Sequence, residues 1–203
     1  MPRYFDFSRK MVNGQPVSVG GCLDSGSLKY EQMYENAKLP EYSTKHAAGA
    51  DFFCAEDVEI PSMWSQVIRG LLAKGEEVIM NISIEVDQNK ERFCVKPTMV
   101  HTGIKACMNE DEVLELYNRS SNPKKLGLIL ANGVGVVDAD YFSNCDNDGE
   151  IMFAFYNVFP FTVRLKAGDK VGQGVFKKFL RPDTNLRVRD DDRVGGFGST
   201  GSK

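Results

Sequence analysis

The stretch GVGVVDADYF, residues 133–142, closes a short apolar run with two aspartates and a tyrosine. Asp138 has the chemistry to orient and deprotonate a water molecule, and Tyr141 has a flat ring to set against a sugar. The same pattern also describes a strand end with solvated carboxylates. NRSSNPKKLGL, residues 118–128, offers Arg119, Ser120 and Ser121 as a phosphate site: a fixed guanidinium and two hydroxyls. As plain structure it is a loop before a strand. AGDKVGQGVF, residues 167–176, reads as a turn entering a strand, with Gln173 able to satisfy a buried backbone group. The tail RVGGFGSTG, residues 193–201, is either a linker end or an arm that grips phosphate. Its glycines free backbone N–H groups, Ser199 and Thr200 add hydroxyls, Arg193 adds a fixed charge, and Phe197 is an aromatic that can stack on a base.

These groups need a frame. Between Ile60 and Gly75 the apolar residues Met63, Trp64, Val67, Ile68, Leu71 and Leu72 recur at helical spacing. Ser62 is placed to cap the start and Gly75 the end, which predicts one helix whose apolar stripe must be covered. Elsewhere the chain reads as short strands: VIMNISIEV, RFCV, MVHTGIKACM, LGLIL, VGVV, EIMFAFYNV, FTVRL and KVGQGVFKKFL. Turn signals separate them at Asn132-Gly133, Asp148-Gly149 and Ala167-Gly168-Asp169. This pattern predicts an all-β antiparallel sandwich or jelly roll. Residues 1–38 read as an N-terminal extension, 39–181 as the β domain with 60–95 as an insert carrying the helix, and 182–203 as a flexible arm. No internal repeat is present.

With 203 residues, 26% charged and 42% apolar, the chain suits one domain with appendages. A net charge of −3 argues against a protein that coats nucleic acid, while leaving room for a nucleotide enzyme with a local basic cluster. MPRYFDFSRK holds no apolar run of a signal peptide, and no stretch approaches the ~20 apolar residues of a membrane span. Cys22, Cys54, Cys94, Cys107 and Cys145 are scattered without CxxC spacing, as expected of reduced thiols in cytoplasm. Only His46 and His101 are present, which disfavours a His-rich metal centre.

The order of the motifs adds what none carries alone. LPEYSTKHAAGADFF, YNRSSNPKKLGL, GVGVVDADYF followed by GEI, GDKVGQGVF and RVGGFGSTG succeed one another along the chain. This resembles the five ordered motifs of the trimeric dUTPase family, over residues 39–53 and 97–201. The resemblance implies a jelly-roll homotrimer that cuts dUTP to dUMP and pyrophosphate with Mg²⁺, keeping uracil out of DNA and supplying dUMP for dTMP synthesis. It implies shared active sites: the first, second and fourth motifs from one subunit, the third from a neighbour, the fifth folded over from another.

By that resemblance Asp51 lies near a hydrated Mg²⁺, with no direct protein ligand to the metal. Arg119, Ser120 and Ser121 bind phosphate. Asn132 falls where the uracil edge is read by backbone groups, and Val136 and Val137 count with the substrate-binding residues. Asp138 activates water, Tyr141 blocks a ribose 2′-OH, and Met152 lines the nucleoside pocket. Gln173 helps place phosphate, and Arg193, Phe197, Gly198, Ser199 and Thr200 form the closing arm.

The chain departs from the family pattern at several points. No Pro precedes Arg119, Ser121 stands in place of Gly, and Arg193 is one residue closer to Phe197. FSNCDND intrudes between Tyr141 and Gly149, where the family usually has a single residue. The extension and the 60–95 insert suggest a phage or otherwise divergent member, and a protein partner on the insert is one expectation. A rival reading is dCTP deaminase, which shares the fold. Aligning FAFYN with the deaminase LEFYN puts Ala154 where that chemistry needs a proton-shuttling glutamate, so deamination is disfavoured. The other rival is a dUTPase-like binding module, against which the retained Arg119, Ser120, Asp138, Tyr141 and Gln173 argue.

Overall fold

A computed structural model describes residues 2–8, 11–12, 15–16, 34–73, 95–144 and 146–183. In chain order the elements are β1 (Tyr4–Phe7), β2 (Met11–Val12), β3 (Gln15–Pro16), β4 (Ala50–Phe53), β5 (Val58–Ile60), α1 (Met63–Ala73), β6 (Thr98–His101), β7 (Ile104–Cys107), β8 (Glu112–Asn118), β9 (Leu128–Leu130), β10 (Gly135–Val137), β11 (Met152–Asn157), β12 (Val163–Leu165) and β13 (Lys170–Lys178). The named strands pair antiparallel throughout. One sheet runs β10-β8-β13-β4 and another β6-β11-β9, with smaller pairs β1-β7, β5-β12 and β2-β3. Their inner faces share one core. Phe52, Leu114, Leu116, Val137 and Val171 come from the first sheet, and Val100, Leu128, Leu130, Phe153 and Phe155 from the second. Phe52 and Phe153 meet edge to face at 5.6 Å across the layer. This is the all-β jelly-roll sandwich expected from the strand pattern.

β13 shows how the layers come so close. A Cβ on Gly172 would lie 2.0 Å from Phe153 Cε1, and one on Gly174 would lie 2.6 Å from Phe52 Cε2. Only a strand without side chains at these positions lets both rings lie against its backbone. The register of β13 against β4 shifts between Lys170 and Gly172. Val171, fully buried, is the extra residue of a bulge.

The first strand belongs to the wall of the sandwich, although it lies in the segment read as an extension. Phe5 pairs with Ala106, and its ring packs 5.3 Å from Phe52 and 5.2 Å from Phe176. The helix begins at Met63, the first residue of the apolar spacing, and Pro61 and Ser62 separate it from Ile60, the last residue of β5. Ser62 does cap it: the Trp64 N–H donates to Ser62 Oγ at 3.2 Å. Trp64 Nε1 donates to the Val158 carbonyl at 3.1 Å and pins the helix to the end of β11. The expected burial of the stripe is only partly met in a single chain, since Trp64 is 54% and Ile68 56% exposed. VIMNISIEV, Gly75, the first three residues of RFCV, Cys22, Cys94 and Cys145 lie outside the described residues. Among those described, no helix is long and apolar enough to cross a membrane.

Candidate active site

Asp51 sits on β4 with its carboxylate buried. Its Oδ2 accepts from Lys170 Nζ at 2.6 Å and from Ser43 Oγ at 2.5 Å, and its Oδ1 accepts from Gln173 Nε2 at 2.9 Å. Arg119 Nε stands 3.9 Å from Oδ1, and Arg119 Nη1 donates to the Lys170 carbonyl at 3.1 Å. Burial by itself would raise this carboxyl. The hydrogen bonds from Lys170, Ser43 and Gln173 outweigh it and hold the group below the ordinary carboxylate range. The β13 bulge makes this possible. Lys170 and Gln173 are three residues apart and would face opposite sides of a regular strand. With Val171 looped out of the count, Lys170 pairs with Phe53 and Gln173 with Asp51, and both side chains reach one carboxylate.

Beside this network lies a cleft of about 420 Å³ lined by Arg119, Ser121, Asn122, Lys125, Arg164 and Lys170, with Asp169 as its carboxylate. Of the four cations, Arg164 pairs with Glu59 and Lys170 with Asp51, both at 2.6 Å, and the remaining positive charge of Arg119 and Lys125 suits an anionic ligand. The floor is a single π-helical turn, Asn122–Leu126, entered by Pro123. Asn122 Nδ2 ties that turn to the sheet by donating to Asn118 Oδ1 and the Val171 carbonyl, both at 2.8 Å. Ser120, between Arg119 and Ser121, is exposed.

The third motif lies elsewhere. Asp138 is exposed just beyond β10, at the start of the 3₁₀ turn Ala139–Tyr141. Tyr141 is 6% exposed, so only a sliver of its ring reaches the surface. Its hydroxyl donates to the Glu150 carbonyl at 3.0 Å. Asn132 is exposed in the 131–134 connection between the two sheets, and Met152 is half-buried on β11. Val136 is 62% exposed. The Val137 side chain packs into the core, because neighbouring residues on a strand face opposite sides. β10 is the outer strand of its sheet, so alternate backbone groups of this stretch face away from β8 and can meet a ligand.

β10 and β4 are the two outer strands of the same sheet. Three strand spacings and about four residues of strand rise separate Asp138 from Asp51, which is roughly 20 Å within one chain. One chain therefore assembles the first, second and fourth motifs and leaves the third apart. Arg193, Phe197, Gly198, Ser199 and Thr200 lie outside the described residues. Ser43, Lys125, Arg164 and Lys170 were missed as site residues. The strand pairing that brings Lys170 to Asp51 is the signal that would have found it. Among the described residues no three His, Cys, Asp or Glu gather to cage a metal. Both Asp51 oxygens already accept hydrogen bonds from Ser43, Lys170 and Gln173. Ala154 is buried, and its carbonyl accepts the Ala131 N–H at 2.8 Å, so no proton-transfer side chain stands there.

Fold and site together define an all-β jelly-roll protein with a cleft lined by Arg119, Lys125, Arg164 and Lys170. The comparisons narrow this class. Residues 76–201 match the family model described as dUTPase. A deoxyuridine 5′-triphosphate nucleotidohydrolase of Lactococcus lactis subsp. lactis is 38% identical over 171 residues, spanning 83% of this chain and 93% of the relative. One of Desulfitobacterium hafniense is 30% identical over 177 residues, spanning 86% and 94%. The crystal structure of a dUTPase from Streptococcus mutans is similar with a TM-score of 0.55 and 35% identity, covering 75% of this chain and 98% of that one. The chain belongs to the dUTPase family.

Proposed function

We propose that this protein hydrolyses dUTP to dUMP and pyrophosphate. The observation that carries the reading is the meeting of Asp51, Arg119 and Gln173 beside a cleft rich in cations, in a member of the dUTPase family. Arg119, Ser120 and Ser121, with Lys170 beside them, hold the phosphates, and Gln173 and Lys170 keep Asp51 charged and fixed. A Mg²⁺ ion carried by the triphosphate would supply charge neutralisation at the phosphates, and Asp51 is the residue that would lie near its waters. Asp138 holds a water in line with the α-phosphorus and takes its proton, so the bond to the α-phosphorus forms as the bond to pyrophosphate breaks. The 131–137 stretch reads the uracil edge, Met152 lines the pocket, and Tyr141 stands where a 2′-OH would be. The arm from Arg193 through Thr200 closes over the phosphates. The gap of roughly 20 Å between Asp138 and Asp51 supports a homotrimer in which a neighbour supplies the third motif.

The test incubates the purified protein with each nucleoside triphosphate and Mg²⁺ and assays pyrophosphate and ammonia separately. Pyrophosphate from dUTP, with no ammonia from dCTP, is the expected result. Ammonia release, or no turnover of dUTP, refutes the reading.

A further inference from the structure

We propose that residues 142–144 and 146–148 form a clamp on Tyr141, with Asn147 as its positioning residue, and that it sets how sharply the enzyme separates deoxyribose from ribose. The proposal rests on the sugar-facing role given to Tyr141 above. Asn147 Nδ2 donates to Tyr141 Oη at 2.7 Å and to the Glu150 carbonyl at 3.2 Å. The Tyr141 hydroxyl donates in turn to the same carbonyl at 3.0 Å. The phenol is thus held as acceptor and as donor at once, which fixes the tilt of the ring. A ring that excludes one hydroxyl must not yield, because a displacement near ~1 Å is enough to admit it or to misplace the substrate. A single residue between Tyr141 and Gly149 would bring no such side chain to the phenol.

The loop is built to hold Asn147 still. Asn147 Oδ1 accepts from Asn144 Nδ2 at 2.9 Å and from the Gly149 N–H at 3.2 Å. Asn144, buried, also donates to the Tyr141 carbonyl at 2.9 Å and accepts the Asn147 N–H at 3.0 Å. Lys105 reaches up from β7 to both Asp148 oxygens, at 3.1 and 3.3 Å, and to Ser143 Oγ at 3.0 Å. Asp148 is fully buried. Ser143 and Asp148 hold φ of 53° and 56°, left-handed conformations that persist when the surroundings over-determine them. At Gly149, φ 77°, a Cβ would lie 2.6 Å from the Tyr141 carbonyl oxygen, so the chain doubles back tightly onto the residue it clamps.

The experiment measures kcat and KM for dUTP and for UTP in the full-length protein and in Asn147→Ala, Tyr141→Phe and the double variant. Asn147→Ala is expected to lower the ratio of kcat/KM for dUTP over UTP roughly 5- to 10-fold, the scale of one lost hydrogen bond. Tyr141→Phe removes the hydroxyl that Asn147 holds and should lower the ratio equally, and the double variant should fall no further. A purely structural role for Asn147 would instead reduce both substrates together and add to the effect of Tyr141→Phe. Either that additivity or a parental ratio in folded Asn147→Ala overturns the clamp. If Asn147→Ala does not fold, a parental ratio in Tyr141→Phe overturns it alone. Equal hydrolysis of dUTP and UTP by the parent removes the sugar-facing role of Tyr141, and the clamp with it. Parental discrimination with an unchanged variant ratio removes the clamp only.

Discussion

Lys170→Met removes the ammonium that keeps Asp51 charged, together with its hydrogen bond to Ser43 Oγ at 3.0 Å. Methionine fills much the same volume, so the loss is mainly electrostatic. A hydrogen bond to a charged group contributes ~1.5–3 kcal/mol. Lys170 is 34% exposed and its bond is partly screened, and Arg119, 3.9 Å away, remains. The expected loss is therefore about 2 kcal/mol at pH 7, a fall in Tm of roughly 4–8 °C for a chain of this length. The carboxyl of Asp51 is held below its ordinary value in the folded protein. Its contribution is present above the unfolded carboxylate range near ~3.9 and is lost as pH falls through the depressed folded value. Without Lys170, burial is opposed by fewer hydrogen bonds and the carboxyl rises, so the variant loses this contribution at higher pH than the parent. Below both values Asp51 is protonated in both proteins and the gap closes. Thermal denaturation of parent and variant from pH 7 down into acid below the folded Asp51 titration, at fixed protein concentration, measures this. Equal stability at pH 7, or a gap that persists unchanged into acid, would refute the reasoning.

Asp138→Asn keeps the shape of the side chain and removes its basicity, so turnover should fall ~10²–10⁴-fold while a non-hydrolysable dUTP analogue still binds in titration. Gly172→Ala places a Cβ against the Phe153 ring, and overpacking of this kind should destabilise by ~1–3 kcal/mol, visible in denaturant unfolding. Light scattering should give three times the 22.6 kDa chain mass, and a monomer with full activity would count against a shared site.

Much of the frame was legible because its signals are local. The turns at Gly133, Gly149 and Gly168 all have positive φ, as the glycine-bearing pairs implied. Strands 9 to 13 fall inside the apolar runs read for them. β8, an inner strand of its sheet, was missed. It reads EVLELYN, and Glu112 at its head looks like a surface residue. That carboxylate is buried because Arg3 Nε at 2.5 Å and Asn109 at 2.9 Å satisfy it, and neither partner is visible from the strand itself. MVHTGIKACM read as one strand but is two, β6 and β7, with a turn at Thr102 and Gly103. Asp51, Arg119 and Gln173 entered by motif order. Lys170 did not, because strict alternation puts it on the wrong face and only the bulge corrects the count.

The strand order also governs when the molecule can fold. β4 is complete at Phe53, yet its sheet neighbour is β13, which begins at Lys170. β13 also stands between β4 and β8, so in a growing chain β4 lacks its partner strand, and β8 has only β10, until β13 has left the ribosome. Closing so long a loop late makes folding slow and leaves sticky edges open to other chains meanwhile. Nascent chains halted before Lys170 should therefore be protease-sensitive and prone to aggregate, and emergence of β13 should convert them in one cooperative step.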